Sequence, residues 1–214
     1  MSLAKIPGYK RVRRTARTAR IGPNIYTLQA IPNAVCARFR TTLEVHRAWR
    51  PSPVLHGTYG LDAESTVSTD NRYSFSAADL DDDAIYRRIS ESLASALCEV
   101  ASQLQFSDYR LSDTDVVKYT PSGFFSPHRD RNGPDDPRLL TAVGFINDNF
   151  DGGVLSVLLR QVLLIKPKLG SVVVFPSEYL HRSELVTRGN KYIAVRCLLR
   201  HHRRIWVPTK QGDK

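Results

Sequence analysis

The stretch VVKYTPSGFFSPHRD, residues 116–130, decides how this chain folds. β-Branched and aromatic side chains at 116–119 are typical of a strand, and Pro121-Ser122-Gly123 supplies a tight turn. A second run, residues 124–130, is expected to be extended and ends in His128-Arg129-Asp130. The pair of runs predicts that a β-rich structure begins here.

Short β-branched runs continue from this stretch towards the C-terminal end. Gly, Pro, Asn and Asp separate the runs, at a spacing that is typical of a sandwich or barrel. The predicted strands cover residues 116–119, 139–146, 154–159, 161–165, 171–175 and 192–199.

Upstream of this stretch the pattern predicts a strand and two helices. Residues 24–31 look like a strand, and residues 34–49 carry apolar side chains at helical spacing until two prolines end the helix. Asp81 to Asp83 predict the start of a helix that runs to about Gln105, because carboxylates complement the helix dipole there. Residues 60–82 look like a loop, with one short strand at 72–76.

Length and composition indicate one ordinary globular domain. The chain has 214 residues, of which 42% are apolar, and no apolar run approaches the roughly 20 residues that span a bilayer. Because no secretory leader is visible, we expect a cytoplasmic protein. Cys36, Cys98 and Cys197 are too widely spaced for a zinc or redox motif, so we expect reduced thiols.

The net charge of +10 is concentrated at the two ends of the chain. Residues 1–43 carry nine Lys or Arg and no Asp or Glu, and a second basic cluster lies at the C-terminal end. Such an arm can be a solvated terminus, can bind nucleic acid or an acidic partner, or can direct the chain to an organelle. We expect a basic arm at 1–20 and a single domain at 21–214, divided into helical support (21–110), a β core (111–200) and a basic tail (201–214).

His128 and Asp130 are the first residues that indicate chemistry. Residues two apart in an extended segment point to the same face, so this imidazole and this carboxylate should lie side by side. His181 lies 51 residues beyond Asp130 and just after a predicted strand, which makes it the natural third ligand. Two histidines and a carboxylate form the facial triad of non-haem iron(II) oxygenases, which leaves positions open for a bidentate 2-oxo acid and dioxygen. The pattern alone is weak, because His-x-Asp is common by chance.

Lys191 indicates an anionic ligand. It follows the Gly189-Asn190 turn and opens the last predicted strand, so its side chain can enter the β core. Burial of a lysine is unfavourable unless an opposite charge meets it, and the far carboxylate of a 2-oxo acid provides that charge. The competing interpretation is an ordinary surface lysine.

At these residues the chain resembles the iron(II)- and 2-oxoglutarate-dependent dioxygenases, and within them the prolyl 4-hydroxylase-like branch. The similarity runs from about residue 116 to residue 199, and its blocks occur in the family's order. The blocks are residues 117–130, residues 145–155 with the Asp151-Gly152-Gly153 turn, residues 165–176, and His181 with Lys191. Arg72-Tyr73-Ser74 is a weaker match to an Arg-x-Ser segment of the family.

The resemblance implies a double-stranded β-helix of jelly-roll type, in an α+β chain whose C-terminal half is mainly β. It implies Fe(II) held by His128, Asp130 and His181, 2-oxoglutarate and O2 as cosubstrates, and ascorbate as reductant. Lys191 matches the partner of the distal carboxylate of 2-oxoglutarate, and Tyr119 stands where a family tyrosine lines the same pocket. The implied reaction is hydroxylation with decarboxylation of 2-oxoglutarate to succinate and CO2. Asp130 favours hydroxylation over halogenation, because halogenating relatives have a small residue at that position.

Phe145 and Cys197 depart from the family pattern. Phe145 stands where some relatives have a tyrosine that reaches the 2-oxoglutarate carboxylate, so Lys191 needs another partner. Thr141, four residues earlier on the same strand face, is the candidate from the sequence. Cys197 stands where relatives often have tryptophan, which changes the expected size of the pocket.

Three functions compete at this point. The favoured one is a hydroxylase of a peptidyl residue or of a small amino-acid-like molecule, with Arg72 and Arg129 as speculative substrate contacts. The second is an oxygenase acting on nucleic acid recruited by the basic termini. Lys191 and Arg196 count against it, because residues five apart point to opposite faces of a strand. The third, a binding protein without catalysis, is disfavoured because every metal-ligand position is retained.

Overall fold

Two facing main β-sheets, two small two-stranded sheets and two helices make up the part of the chain that the computed structural model describes, residues 18–57, 62, 64–80 and 83–201. Most of the predicted basic arm, Asp81 and Asp82 at the predicted helix start, and the basic tail beyond residue 201 lie outside these residues. In chain order the elements are β1 (Ala19–Gly22), β2 (Ile25–Gln29), α1 (Asn33–Val45), β3 (Trp49–Pro51), β4 (Val54–His56), β5 (Glu64–Thr66), β6 (Arg72–Tyr73), β7 (Phe75–Ala77), α2 (Ala84–Gln103), β8 (Tyr109–Tyr119), β9 (Phe124–His128), β10 (Arg138–Phe145), β11 (Asp151–Gly152), β12 (Leu155–Leu158), β13 (Val162–Ile165), β14 (Ser171–Pro176), β15 (His181–Ser183), β16 (Val186–Arg188) and β17 (Lys191–Arg200).

The two main sheets form a double-stranded β-helix, as the sequence predicted. The larger sheet has the order β1-β2-β14-β10-β17-β8-β7-β3, and the smaller has the order β13-β12-β15-β9-β6. Because side chains alternate along a strand, one face of the larger sheet meets the smaller sheet and the other meets the helices. Val117, Tyr119 and Phe145 belong to the apolar cluster between the sheets, whereas Val116 and Ala142 belong to the cluster beneath the helices.

The helices cover the outer face of the larger sheet. α1 buries Val35, Cys36, Phe39 and Leu43 along one stripe, which is the apolar spacing visible in the sequence. α2 begins after Asp83, whose Oδ1 accepts hydrogen bonds from the backbone N–H groups of Ile85 (2.6 Å) and Tyr86 (2.9 Å). The predicted carboxylate cap is therefore confirmed at Asp83.

The predicted end of the first helix was wrong. α1 ends at Val45, and Trp49 lies in β3, where it pairs with Ala77 of β7. The Trp49 ring packs 6.1 Å from the ring of Tyr192 and under the Lys118 ammonium. This tertiary packing draws the segment into the sheet, and Pro51 is tolerated because β3 is an edge strand.

The N-terminal half supplies strands as well as helical support. β1, β2, β3 and β7 extend the larger sheet on both sides, and β1 starts at Ala19, inside the range predicted as an arm. The strand predicted at 72–76 divides at Ser74, because β6 joins the smaller sheet and β7 the larger. β8 extends back to Tyr109 through a polar segment that pairs with β17, which the pattern of apolar residues did not predict.

All three cysteines are buried and unpaired, which agrees with the expectation of reduced thiols. Burial raises the pKa of the Cys36 and Cys197 thiols to about 12, so neither is a reactive thiolate. Neither α1 nor α2, the helices in the described ranges, combines the length and the apolar character needed to span a lipid bilayer.

Candidate metal centre

The smaller sheet brings His128, Asp130 and His181 together. His128 ends β9, His181 opens the neighbouring antiparallel strand β15, and the two histidines lie directly opposite each other in register. Asp130 follows two residues after His128, and its Oδ1 is 3.6 Å from His128 Nε2. Its Oδ2 is 3.6 Å from His181 Nε2. One potential ligand atom from each of the three residues lies within 4.8 Å of the others.

Hydrogen bonds to the main chain fix which nitrogen each histidine presents. His128 Nδ1 lies 2.8 Å from the carbonyl oxygen of Ser126, and His181 Nδ1 lies 2.9 Å from that of Tyr179. A carbonyl oxygen only accepts, so Nδ1 must carry the proton in both rings. Each neutral ring then presents the lone pair of Nε2 towards Asp130, which is the form that binds a metal ion.

Aromatic neighbours hold the two imidazole planes. Phe125 stacks on His128, with ring centroids 3.5 Å apart and planes 15° apart. Phe175 meets His181 edge-on, with centroids 4.7 Å apart. Burial lowers the pKa of His181, which favours the neutral ring. The surroundings therefore preorganise both nitrogen donors.

The Asp130 carboxylate is oriented by a buried chain of hydroxyl groups. Thr141 Oγ1 donates a 2.7 Å hydrogen bond to Asp130 Oδ2, and Ser177 Oγ lies 2.9 Å from Thr141 Oγ1. Burial alone raises the pKa of Asp130, but His181, His128 and the Thr141 hydroxyl together hold that pKa well below its usual range. Asp130 is therefore a carboxylate at neutral pH.

These side chains fit an iron(II) ion. Two imidazole nitrogens and one carboxylate oxygen are the donor types of the facial triad. The hydrogen bonds at both Nδ1 atoms and at Asp130 Oδ2 are the supporting contacts that metal ligands require. His128 and Asp130 each keep about a fifth of the side chain exposed (20% and 19%), so a second ligand can reach the centre from solvent.

Lys191 lies inside the barrel, 2% exposed. Its Nζ donates 2.7 Å hydrogen bonds to the carbonyl oxygen of Gly153 and to Ser183 Oγ, and it lies 4.9 Å from the centre of the Tyr119 ring. Burial lowers the pKa of Lys191 to about 7. Because both hydrogen-bond partners are neutral oxygens, this cation lacks the charge compensation that an anionic ligand would supply.

Gly153, whose carbonyl oxygen accepts from Lys191, has a backbone conformation and surroundings that suit only glycine. Its φ of +59° lies in the left-handed region, and an added Cβ would meet Phe150 at 2.9 Å, Val186 at 3.0 Å and the Lys191 stem at 3.1 Å. The Gly-Gly turn noted in the sequence therefore turns the Gly153 carbonyl towards the ammonium group.

Tyr119 and Ser183 complete the polar surroundings of Lys191. Tyr119 is 3% exposed. Burial raises the pKa of its phenol, although hydrogen bonds from Ser183 and Arg72 act to lower it. The sequence reasoning did not select Ser183. Its position two residues after His181 could have suggested it, because such residues share a strand face.

Thr141 lies in different surroundings from those the sequence suggested, whereas Phe145 lies beside Lys191 as expected. Thr141 contacts Asp130 and Ser177, not Lys191, so its described position supports the metal-ligand carboxylate. The Phe145 ring is fully buried, with its centre 6.0 Å from Lys191 Nζ. Cys197 lies opposite Thr141 in register, with its sulfur 3.8 Å from Thr141 Oγ1.

Two arginines border this region, and a third that the sequence singled out does not. The Arg72 guanidinium lies 4.5 Å from the centre of the Phe125 ring, and it donates hydrogen bonds to Ser74 Oγ and to the Pro53 carbonyl oxygen. Arg129 is exposed at the rim and donates to the Glu178 carbonyl oxygen. Arg196 points away from Lys191, towards the helices, where it donates to the carbonyl oxygens of Ser112 and Ser90.

Comparison with known proteins finds relatives over part of this chain. The family model described as the 2OG-Fe(II) oxygenase superfamily matches residues 114–198. A PKHD-type hydroxylase of Sphingopyxis alaskensis is 34% identical over 125 residues, which cover 54% of this chain and 57% of that protein. The match thus spans little more than half the length of that relative.

Solved structures share the fold at low identity. A prolyl-4-hydroxylase of Pseudomonas putida has a TM-score of 0.62 at 20% identity, over 83% of this chain and 92% of that one. A prolyl hydroxylase of Trichoplax adhaerens, in complex with a peptide fragment of hypoxia inducible factor, has a TM-score of 0.63 at 16% identity, over 82% of this chain and 83% of that one. At these identities the likeness establishes the fold.

Proposed function

We propose that this protein is an iron(II)- and 2-oxoglutarate-dependent dioxygenase, a proposal that the match of residues 114–198 to the family model of the 2OG-Fe(II) oxygenase superfamily supports. Its reaction is hydroxylation of an unactivated carbon in a peptidyl residue or in a small amino-acid-like molecule. The observation that carries the proposal is the convergence of His128, Asp130 and His181 within 4.8 Å, in the same barrel as the buried Lys191.

The residues of the chain bind, orient and shield. His128 and His181 supply neutral Nε2 atoms, and Asp130, held by Thr141, supplies an ionised oxygen. When bound, iron(II), 2-oxoglutarate and O2 would supply the oxidising chemistry, in which one oxygen atom of O2 enters succinate as 2-oxoglutarate loses CO2 and the other becomes the hydroxyl group of the substrate. Lys191 receives the distal carboxylate, and the apolar residues around it keep water from that end of the barrel.

A peptide or amino-acid-like substrate is supported by two features. The Sphingopyxis relative is named a hydroxylase, and the Trichoplax structure holds a peptide fragment. Arg72 and Arg129 lie at the border of the metal centre, where their charges suit a substrate with carbonyl or carboxylate groups. Both contacts are proposals, as is a cytoplasmic location.

A succinate-release screen tests the proposed function. Purified protein with Fe(II), ascorbate and 2-oxoglutarate is offered proline-containing peptides, free amino acids and single-stranded nucleic acid. We expect a peptide or an amino acid to stimulate succinate release in the wild type, and no stimulation in the His181→Ala variant. Equal succinate release by wild type and variant would refute the metal assignment.

The nucleic-acid alternative gains no support from the described residues. Arg196 is turned to the helix side of the larger sheet and is occupied by backbone carbonyls, so it does not accompany Lys191 into the barrel. In the same screen, stimulation by nucleic acid alone would reverse the assignment of the substrate class.

A further inference from the structure

We infer that Ser183 is a 2-oxoglutarate-binding residue, which replaces the hydroxyl group that Phe145 cannot provide. This inference rests on the proposed function and extends it to a residue that the sequence did not single out. It assigns Ser183 Oγ as a hydrogen-bond donor to the distal carboxylate, beside the Lys191 ammonium.

The hydrogen bond between Lys191 and Ser183 sets the direction of the serine hydroxyl. Lys191 Nζ has protons only to donate, so at 2.7 Å Ser183 Oγ is the acceptor. In the unliganded chain the hydroxyl hydrogen of Ser183 points to the Tyr119 phenol oxygen, and a charged carboxylate beside Lys191 would replace that neutral acceptor. A carboxylate beside Lys191 would receive one hydrogen bond from the ammonium and one from this hydroxyl, and such charge-assisted hydrogen bonds are the strong ones.

The position of Ser183 suits this role. It is 8% exposed, and it pairs with Leu155 of β12 and with Phe125 of β9, so two strands hold its backbone in the middle of the smaller sheet. Tyr119, across the barrel on β8, is hydrogen-bonded to it. The surroundings are otherwise apolar, including Phe145 and Val186. Ser183, Tyr119 and Lys191 thus form a small polar cluster inside an apolar barrel end.

Phe145 explains why the serine matters in this chain. Its ring faces the same ammonium, with its centre 6.0 Å from Lys191 Nζ, but it carries no polar atom. Phe145 belongs to the larger sheet, whereas Ser183 reaches the cluster from the smaller sheet. The two positions are therefore alternative sources of one hydrogen bond, and a swap between them should preserve binding.

The test is anaerobic calorimetric titration of the iron(II)-loaded protein with 2-oxoglutarate and with 2-oxovalerate, which has a methyl group in place of the distal carboxylate. We expect Ser183→Ala to weaken 2-oxoglutarate binding about 10-fold, because one hydrogen bond to a charged group is lost. Binding of 2-oxovalerate should change less than about 2-fold, because it lacks the carboxylate. The double variant Ser183→Ala with Phe145→Tyr should recover most of the lost affinity.

The control is Ser156→Ala, which removes the hydroxyl of another buried serine of the smaller sheet, one that donates to Glu184 and does not contact Lys191. It should leave both affinities unchanged. Unaltered 2-oxoglutarate binding in Ser183→Ala, or an equal loss for both 2-oxo acids, overturns the inference while the proposed function stands. Failure of the wild type to bind 2-oxoglutarate overturns both.

Discussion

His128 and His181 lie directly opposite each other on the antiparallel strands β9 and β15, with ring centroids 4.2 Å apart. They are more than 50 residues apart in the chain, and strand pairing alone makes them neighbours. Each histidine donates Nδ1–H to a carbonyl oxygen two residues before it, so both rings present Nε2 to the same point. The register of the smaller sheet therefore builds the metal centre.

Thr141 should control metal affinity through Asp130. Thr141→Val keeps the shape of the side chain but removes the hydroxyl that donates to Asp130 Oδ2. We expect Mn(II) to bind about 10-fold more weakly, the lower end of the usual effect of removing a partner of a metal ligand. Competition with a fluorescent chelator measures this constant. Thr141→Ser should bind Mn(II) like the wild type, and equal binding by Thr141→Val would contradict the orienting role.

Lys191 should strengthen 2-oxoglutarate binding and lower the folding stability of the unliganded protein. In Lys191→Met we expect 2-oxoglutarate to bind at least about 100-fold more weakly, because the charge partner of a buried carboxylate is removed. Without 2-oxoglutarate the variant should unfold at the same or higher urea concentration, because a desolvated cation is replaced by an apolar group. Lys118→Met is the control, since Lys118 stacks on Trp49 outside the barrel. A destabilised variant with normal affinity would refute this assignment.

The pKa of Lys191 predicts that 2-oxoglutarate binds more tightly at lower pH. Because burial lowers the pKa of Lys191 to about 7, its amino group is mostly uncharged at pH 8 in the unliganded protein. A bound dianion raises the pKa again, so binding takes up a proton when the pH is above about 7. We expect affinity to fall about 10-fold from pH 6 to pH 8.

Calorimetry in two buffers of different ionisation enthalpy measures both the affinity and the proton uptake. Lys191→Met is the reference for titration of the histidines, since it retains them and lacks the ammonium. If the wild type and this variant show the same pH dependence, Lys191 is not the titrating group.

Asp83 should stabilise the protein without affecting the site. Asp83→Ala removes the side chain that caps α2, and we expect the free energy of unfolding to fall by about 1 kcal/mol. Urea denaturation measures the change. Glu91→Ala, on the exposed side of the same helix, should stay within about 0.5 kcal/mol of the wild type. An equal loss in both variants would argue against the cap.

The sequence predicted the metal centre better than its surroundings. Strand alternation placed His128 beside Asp130, although Asp130 lies two residues beyond the end of β9. β15 was missed because three residues, one of them Arg182, are too few to show a period. Ser183 lies on that strand, so the partner of Lys191 could not be identified before the pairing of β15 was known.

The fold shows a similar limit in its N-terminal half. Helical spacing and the carboxylate cap predicted α1 and α2, because these signals are local. The strand conformation of Trp49 and of residues 72–77 depends on contacts with Tyr192, Lys118 and Phe125, which lie far away in the chain. Tertiary packing overrode the local pattern there.

Anaerobic titration of the metal-free protein with iron(II), in the presence of 2-oxoglutarate, tests the central claim most directly. We predict that the wild type binds one iron(II) ion per chain and gains a visible charge-transfer band that requires both iron(II) and 2-oxoglutarate. His181→Ala and Asp130→Ala should lose the band and bind iron(II) at least about 100-fold more weakly, because each removes one of three ligands. Wild-type stoichiometry and an unchanged band in either variant would contradict the assignment of His128, Asp130 and His181 as the metal ligands.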